Sequence, residues 1–340
     1  MTKKVTAKQI ANILGISTMT VSRALNNRPN VNEKTRKLVV ETARKLGYFP
    51  NHIAKSLVLR KTDTIGVVVP EITHSFFPEV IRGIEEITYR RGYQLILTHS
   101  AENSSREGDA LTTLTSMQVD GLLISTAQTV EDYGIYQQII NRGLPLVFYD
   151  RCVKGIGASC VSLDDEESAC LLTEHLIQHG YKRIAHLSGP ERVLIGKARL
   201  NGFEKALNKN QIQLDQKLVV EAGLQEQDGY VAMKTILSLP TNEWPRAVVA
   251  VNDPAAFGAM KAITEMGLSI PGDIAIVGFS DDIRAELIEP PLTTIRQNAY
   301  EIGKKAAEKL LDLIENKESG IEEIVVKGEL VIRRSCGCNE

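Results

Sequence analysis

Short apolar runs alternate with amphipathic segments from residue 64 onward, and this alternation limits the fold more than any other feature of the chain. The first run, Ile65-Gly66-Val67-Val68-Val69, is apolar throughout, which is typical of a buried strand. Amphipathic segments of helical length follow it at 79–91 and 105–118. Repetition of strand and helix predicts a parallel, doubly wound sheet, and hence an α/β fold.

The alternation falls into two sets, which predicts two lobes. Strands are predicted at residues 65–70, 93–97, 121–124 and 146–149 for the first set, and at 184–187, 218–220, 247–251 and 274–277 for the second. A helix at 300–315 and two strands at 323–326 and 329–332 complete the chain. The two sets show no close sequence repeat.

Composition excludes several classes of protein. The chain has 340 residues, 43% of them hydrophobic and 24% charged, so it can bury several cores over about two or three domains. It lacks the run of about 18 apolar residues that a membrane helix needs, and no membrane partner is expected. Its five cysteines are odd in number and scattered, which favours free thiols in a reducing cytoplasm over a disulfide framework.

Positive charge is concentrated at the N-terminus. Residues 1–62 contain thirteen Lys and Arg against two acids, a net charge of +11, whereas the remaining residues carry 27 bases and 40 acids, a net of −13. A small basic head on an acidic body indicates a partner with a phosphate backbone, because cationic side chains release the counterions condensed on it.

The basic head is patterned to fold into three short helices. Thr6 and Gln9 have the spacing of a capping box, Gly15 allows a turn, and Ser17 is an N-cap candidate for a second helix over 18–25. A third helix is predicted after Asn32, ending at Gly47. Helix, glycine turn and helix within about 20 residues is typical of a helix-turn-helix. Its predicted core is Ile10, Leu14, Val21, Leu25, Leu38 and Leu46.

The second helix and the segment after the head carry the candidate DNA contacts. Thr18, Met19, Thr20 and Arg23 are polar or flexible side chains at the exposed start of that helix, suited to base edges and phosphates. A short helix is predicted within residues 52–61, after Pro50 and the cap candidate Asn51, and a helix of this length is marginal alone in water. Leu57 in this segment is either an ordinary linker residue or a wedge between base steps.

Three motifs resemble the LacI/GalR family of transcriptional repressors. They are Val5-Thr6-Ala7-Lys8-Gln9-Ile10-Ala11, the run from Gly15 to Asn26, and Leu46-Gly47-Tyr48-Phe49-Pro50-Asn51. The resemblance implies a homodimer that reads two half-sites of double-stranded operator DNA. It also implies a body like that of periplasmic sugar-binding proteins, with a small effector, first of all a sugar, between the lobes.

The resemblance carries domain limits and contact residues. It implies a DNA-binding head at 1–50, a hinge helix and linker at 51–62, and an effector-binding and dimerisation body at 63–340. The body divides into an N-lobe at about 63–162 and 293–325 and a C-lobe at about 163–292 and 326–340. The expected DNA contacts are Thr6, Ser17, Thr18, Met19, Thr20, Ser22, Arg23, Asn26, Asn51, Ala54 and Leu57.

Polar residues after the predicted strand ends are the candidate effector contacts. Ligands of open parallel sheets bind beyond the carboxyl ends of the strands. A carboxylate, a guanidinium and an amide can bind several hydroxyls there, and an aromatic pair can cover a sugar ring or base. Asp150, Arg199 and Asn252 match the family's effector positions, whereas Ser280 stands where the family often has Asp. The expected contacts are Phe76, Phe77, Asp150, Arg199, Asn252, Ser280 and Asp281.

Other functions find less support. No phosphate-binding, dinucleotide, zinc-protease or serine-hydrolase motif occurs, so no catalytic residue, cofactor or enzyme activity is predicted. His175 and His179 share a helix face without an evident third ligand, and Cys336-Gly337-Cys338 is interpreted as a loose tail, so no metal is predicted. The chain lacks the leucine-heptad tail of the family's tetramers, which favours a dimer. A sugar-binding transport or sensory module is the alternative function, and a purine or phosphosugar the alternative effector.

Overall fold

The computed structural model describes residues 5–26, 28–48, 61–128, 132–190, 193–316 and 319–338. Contacts divide the chain into a head unit, Met1–Thr62, and a body unit, Asp63–Glu340. The predicted hinge helix, with Asn51, Ala54 and Leu57, lies outside the described residues. No helix within the described ranges has both the length and the apolar character needed to cross a membrane.

The head contains the helices that the caps predict. They are α1 (Ala7–Leu14), α2 (Thr18–Leu25) and α3 (Glu33–Lys45). The Thr6 side chain accepts a hydrogen bond from the Gln9 backbone N–H, and the Gln9 side chain accepts one from the Thr6 backbone N–H, which completes the capping box. Gly15 ends α1 in the left-handed conformation at φ 63°, and Ser17 then caps α2.

The head core differs from the predicted core in α3. Its buried residues are Ile10, Ala11, Val21, Ala24, Val39 and Ala43. Leu38 and Leu46 are 51% and 37% exposed, so their predicted place in the core is wrong. The physical reason is helical phase: Val39 and Ala43, four residues apart, form the inward stripe, and Leu38 is rotated away from it by one position.

The body begins with alternating strands and helices, as the sequence pattern predicts. The first stretch consists of β1 (Thr64–Val69), α4 (Phe76–Arg90), β2 (Gln94–His99), α5 (Ser104–Ser116), β3 (Gly121–Ile124), α6 (Gly134–Asn141), β4 (Leu146–Tyr149) and β5 (Ser159–Leu163). The sequence pattern misses β5, because Ser159 and Ser162 interrupt its apolar run.

A second stretch follows with the same alternation. It consists of α7 (Asp165–Gln178), β6 (Ile184–Ser188), α8 (Leu194–Lys209), β7 (Val219–Glu221), α9 (Glu226–Leu237), β8 (Ala247–Ala250), α10 (Asp253–Glu265), β9 (Ala275–Val277) and α11 (Arg284–Leu287). The chain then continues through β10 (Thr294–Arg296), α12 (Ala299–Glu315), β11 (Glu323–Val326), β12 (Glu329–Val331) and a 3-10 turn, Arg334–Cys336.

Two parallel sheets define the two lobes. The N-lobe sheet has the strand order β11-β5-β4-β3-β1-β2, and the C-lobe sheet has the order β7-β6-β8-β9. Every neighbouring pair within these sheets is parallel, whereas β10 and β12 form an antiparallel ribbon. The predicted fold class, a helical head with a two-lobed α/β body, is confirmed.

Neither lobe is one continuous segment. Within the described residues, the chain passes between lobes after β5, between β10 and α12, and between β11 and β12. Thr293 forms a bridge to Val277 of the C-lobe, and Ser280 forms one to Arg296. The return to the N-lobe therefore begins with α12 and not at about residue 293, the predicted limit, because these two bridges hold residues 293–296 beside the C-lobe first.

The cysteines depart from the expectation of free thiols and a loose tail. Cys152 and Cys160 form a disulfide across the loop that joins the neighbouring strands β4 and β5. Cys336 is fully buried in the C-lobe core, and His175 is buried beside it. The C-terminal cysteine motif is thus packed against the C-lobe, in contrast to the predicted loose tail.

Candidate functional site

One face of α2 in the head is exposed and polar. Thr18, Met19, Ser22, Arg23 and Asn26 are exposed on it, while Val21 and Ala24 face the core. Met19 is 61% exposed and adds a flexible apolar side chain to this face. An exposed helical face of this length matches what the major groove of DNA accepts.

The remaining predicted head residues support the start of each helix. Thr6 is exposed before α1, and the Ser17 hydroxyl lies 2.9 Å from the Thr20 hydroxyl and accepts from the Thr20 backbone at 3.0 Å. The helix N-terminus and its free amides form a site where a phosphate can bind. The structure therefore places these residues at the N-terminal ends of α1 and α2.

The second candidate site is a cavity between the two lobes of the body. Residues from both sheets reach it at the carboxyl ends of β4, β7, β8 and β9, together with the starts of α4 and α8. Its lining is Glu71, His74, Phe76, Phe77, Glu102, Asp150, Arg151, Ile195, Arg199, Leu224, Gln225, Asn252, Pro254, Ser280, Asp282 and Gln297. This position, beyond the carboxyl ends of parallel strands and between two lobes, is typical of a small-molecule site.

Arg199 on α8 is buried at the cavity and held in one orientation. Its Nε and one terminal nitrogen each lie 2.8 Å from Asp165 Oδ1, and its other terminal nitrogen donates to the Val251 carbonyl at 2.7 Å. The guanidinium also lies 3.8 Å from the centre of the Phe279 ring. A guanidinium has five N–H groups, so these contacts leave two for a ligand.

Asp150 directly after β4 presents a carboxylate in a strained backbone. Its φ is 58°, in the left-handed region that non-glycine residues adopt at a cost of about 1–3 kcal/mol. Burial raises the pKa of Asp150 to about 6, and the nearby Arg151 opposes the rise. The carboxylate is therefore mostly ionised at neutral pH and can accept hydrogen bonds from hydroxyl groups.

The loop after β9 places Ser280 and Asp282 at the cavity. Ser280 and Asp281 have φ values of 138° and 53°, so two consecutive residues are in unfavourable backbone conformations. Asp281, a predicted contact, is absent from the described cavity lining. Its carboxylate instead accepts hydrogen bonds from Arg333 at 2.7 Å and Arg296 at 2.8 Å, which holds it within the C-lobe.

The other predicted contacts also line the cavity. The Asn252 side chain caps α10 by accepting from the Ala255 backbone at 2.9 Å, and it donates to the Leu224 carbonyl at 2.8 Å. Phe76 and Phe77 stand edge to face at 5.0 Å between ring centres. Together they give the cavity an amide and an apolar wall.

Two hydrogen bonds join the lobes across the cleft. His74 Nε2 lies 3.2 Å from Gln225 Oε1, and the Ser75 hydroxyl donates to Asp282 Oδ2 at 3.2 Å. His74 and Ser75 precede α4 in the N-lobe, whereas Gln225 and Asp282 belong to the C-lobe. The structure is thus a closed form of the cleft.

Several lining residues were not predicted from the sequence. Gln225 and Asp282 follow predicted strands of the second set by only a few residues, so the strand-end rule had the means to find them. Gln297 lies where the chain returns to the N-lobe, and Glu71, His74 and Glu102 lie on N-lobe loops. Glu71 directly follows the predicted strand at 65–70 and Glu102 follows the one at 93–97 by five residues, so the same rule had the means to find them, whereas no sequence pattern marks His74 and Gln297.

A helix-turn-helix head and a two-lobed ligand-binding body define the class of ligand-responsive DNA-binding regulators. The profile of "Bacterial regulatory proteins, lacI family" matches residues 6–51, and that of "Periplasmic binding protein-like domain" matches 173–336. The HTH-type transcriptional repressor PurR of Pasteurella multocida is 34% identical over 331 residues, which cover 97% of this chain and 98% of the relative.

Two solved structures are similar to this chain, one over nearly its whole length and one over about four fifths of it. The Lac repressor dimer bound to operator and the anti-inducer ONPF is 28% identical, with a TM-score of 0.87, covering 98% of this chain and 99% of that one. A LacI family regulator from Enterococcus faecium with bound ribose is 33% identical, with a TM-score of 0.71, covering 80% of this chain and 98% of that one.

The chain belongs to the LacI family: it is a DNA-binding transcriptional repressor with a ligand-binding domain. The predicted function class is confirmed. The similarity does not support the alternative, a transport or sensory module without a DNA role. The similar proteins are repressors and not enzymes, in agreement with the prediction that this chain is not an enzyme.

Proposed function

We propose that this repressor binds operator DNA as a homodimer, in the cytoplasm where that DNA lies, and that a sugar in the interlobe cavity switches its affinity for the operator. The observation that carries the proposal is the cavity itself. Both lobes line it, and buried charged groups there are oriented by neighbours before any ligand arrives. Oriented donors and acceptors in a largely formed cavity favour a small polar ligand.

The proposed DNA contacts lie on the exposed face of α2. Thr18, Met19, Thr20, Ser22, Arg23 and Asn26 would meet the major groove, and Thr6 and Ser17 would meet phosphates. The excess of basic over acidic residues in the head supports its binding to the phosphate backbone of DNA. Asn51, Ala54 and Leu57 remain predicted hinge contacts.

The charges at the cavity favour a neutral polyhydroxyl ligand over a phosphosugar. Arg151 is paired with Glu102 at 2.8 Å and Arg199 with Asp165 at 2.8 Å, so both arginines of the lining are already neutralised. Asp282 is likewise paired with Arg284 at 3.0 Å, so Asp150 supplies the additional negative charge, and its carboxylate repels a phosphate and accepts hydrogen bonds from hydroxyls. The ribose bound to the similar Enterococcus faecium regulator supports the same choice.

The proposed switch is a change in lobe closure. A ligand that binds the closed cleft more tightly than the open one shifts the population toward closure, and only this difference in affinity can do so. In a dimer, closure alters the spacing of the two N-lobes, which carry the marginal hinge segments. A few kcal/mol of differential binding would suffice to form or melt short helices of this length.

Gel retardation and effector titration test this proposal together. The full chain is first used to select duplexes from a random library, and a two-fold symmetric site is expected. A variant lacking residues 1–62 should bind none of the selected duplexes. Sugars, sugar phosphates and purines are then titrated against the complex, and a sugar is expected to change the retarded fraction.

Arg199→Ala should abolish the response to that sugar while leaving operator binding in its absence unchanged. The matched control is Arg183→Ala, which also breaks an Arg–Asp pair of the C-lobe, with Asp215 at 2.9 Å, but lies outside the cavity lining. It should respond as the parent does. A normal response in Arg199→Ala, or retardation by the truncated chain, would contradict the proposal.

A further inference from the structure

A second cluster of reactive side chains lies in the C-lobe, outside the cavity lining. His175 is on the last turns of α7, Cys336 ends the 3-10 turn Arg334–Cys336, and Cys338 follows two residues later. Their ligand atoms all lie within 4.8 Å of one another. Cys336 is fully buried and His175 is 6% exposed, while Cys338 is partly exposed.

Two of the three distances within the cluster match the edges of a metal coordination polyhedron. His175 Nε2 lies 3.4 Å from Cys336 Sγ and 3.3 Å from Cys338 Sγ. With zinc–sulfur bonds of about 2.3 Å and zinc–nitrogen bonds of about 2.0 Å, tetrahedral geometry places nitrogen and sulfur about 3.5 Å apart. The two sulfurs are 2.9 Å apart, so Cys338 must move outward by roughly 0.9 Å to reach the tetrahedral spacing.

The backbone is arranged to present both thiols to the same histidine. Gly337 has φ 84°, a left-handed conformation that turns the chain sharply between the two cysteines. A Cβ at Gly337 would lie 2.6 Å from the Tyr181 hydroxyl, which donates to the Cys336 carbonyl at 3.1 Å. The turn is thus packed in place by an aromatic side chain.

We propose that His175, Cys336 and Cys338 form a binding site for one thiophilic d10 metal ion, Zn²⁺ or Cu⁺, with its remaining coordination position on the partly exposed side of Cys338. Two thiolates and an imidazole are the ligands that these soft ions prefer over Mg²⁺ or Ca²⁺. The ion would hold the C-terminal segment, after its last passage between lobes, to α7. The opposite end of α7 carries Asp165, the partner of Arg199.

Cobalt(II) is the spectroscopic probe for this site, because tetrahedral thiolate coordination gives it intense visible bands. The full chain is reduced with a phosphine, freed of metal by a chelator and titrated with Co²⁺. One equivalent per chain should produce the bands, and one equivalent of Zn²⁺ should remove them. A parallel arm measures Cu⁺ affinity against a colorimetric chelator, which decides between the two ions.

Cys338→Ser should weaken Co²⁺ and Zn²⁺ binding by at least 10-fold, since it removes one thiolate from a partly exposed position. The matched control is Cys170→Ser, which changes another free cysteine on α7 outside the cluster and should bind as the parent does. Zn²⁺ should also raise the melting temperature of the parent and of Cys170→Ser but not of Cys338→Ser.

Thermal melts without metal keep the comparison valid, because equal melting temperatures of the parent and Cys338→Ser show that both are folded. Should Cys338→Ser be unfolded, Cys338→Ala replaces it in the same titrations. Absence of thiolate bands in the folded, reduced parent, together with no Cu⁺ retention, would overturn the proposal. Equal binding by the parent and the folded Cys338 variant would overturn it as well.

Discussion

At the scale of single residues, buried carboxylates beside the cavity dominate the electrostatics. Asp253 is fully buried, and its two oxygens accept hydrogen bonds from the Thr294 hydroxyl and the Asp282 backbone, each at 2.7 Å. Burial raises the pKa of Asp253 to about 7, the two hydrogen bonds oppose the rise, and the negative charges of Asp282 and Asp281 add to it. This residue is therefore protonated in the folded chain under conditions where the unfolded chain has lost the proton.

Asp253→Asn is expected to flatten the dependence of stability on pH. Between pH about 4 and 7 the folded state of the parent binds more protons than the unfolded state, so its free energy of unfolding falls as pH rises through this range. Each unit of pKa difference corresponds to about 1.4 kcal/mol. Asparagine resembles the protonated carboxyl and does not titrate, so the variant gains stability relative to the parent as pH increases.

Urea unfolding between about pH 5 and 8 measures this difference. The control is Asp109→Asn on the exposed face of α5, which should follow the parent at every pH. A stability difference between Asp253→Asn and the parent that does not vary with pH would contradict the prediction.

At the scale of elements, helices α4 and α12 touch backbone to backbone. A Cβ added to Gly83 would lie 2.2 Å from the Tyr300 carbonyl oxygen, and one added to Gly303 would lie 2.0 Å from the Val80 carbonyl oxygen. The two glycines are thus reciprocal, one on each helix. They allow the helix that returns to the N-lobe to lie directly on the helix whose start lines the cavity.

Gly303→Ala should destabilise the protein by about 1–3 kcal/mol, because the added methyl group forces two helices apart. Gly108→Ala on α5 is the matched control, since its Cβ would meet its nearest neighbour, Ile135 Cδ1, only at 3.9 Å. That change should stabilise by about 0.5–1 kcal/mol through helix propensity. Thermal or chemical unfolding of both variants measures the two changes in the free energy of unfolding. Equal changes would refute the backbone contact assigned to α4 and α12.

The sequence predicted elements better than it predicted contacts between them. Hydrophobic periodicity and caps give α1 and α2 correctly, because both signals are local in the chain. The same periodicity cannot fix helical phase to within one residue. The predicted core therefore contains Leu38, although its neighbour Val39 is the buried residue. Periodicity is also silent about the cluster at His175, because residues 161 and 163 positions apart meet only in the folded C-lobe.

At the scale of the whole molecule, hydrogen bonds link the two lobes of the body across the cleft. The bonds from His74 to Gln225 and from Ser75 to Asp282 exist only when the lobes are closed. Interlobe contacts of this kind contribute to the equilibrium between closed and open forms, and so to the apparent affinity for any ligand that requires closure.

Ser75→Ala should therefore weaken effector binding by about 3–10-fold, because a long, part-buried hydrogen bond of this kind contributes about 0.7–1.4 kcal/mol. Ser116→Ala, which removes a hydroxyl bonded to the Thr112 carbonyl on the surface of α5, is the control and should leave the affinity unchanged. Isothermal titration calorimetry with the sugar that the effector titration selects measures both affinities. Unchanged affinity in Ser75→Ala would exclude a role for this contact in closure.

The interleaved path of the chain through its two lobes also restricts how such genes can be recombined. A single genetic crossover inside the region encoding residues 63–340 would assemble at least one lobe from two parents, with mismatched strands and helix pairs in that lobe. A crossover near codon 62 exchanges the head alone and leaves both lobes intact. Exchange at that junction is therefore the simplest route by which an existing sensor could acquire a new set of target promoters.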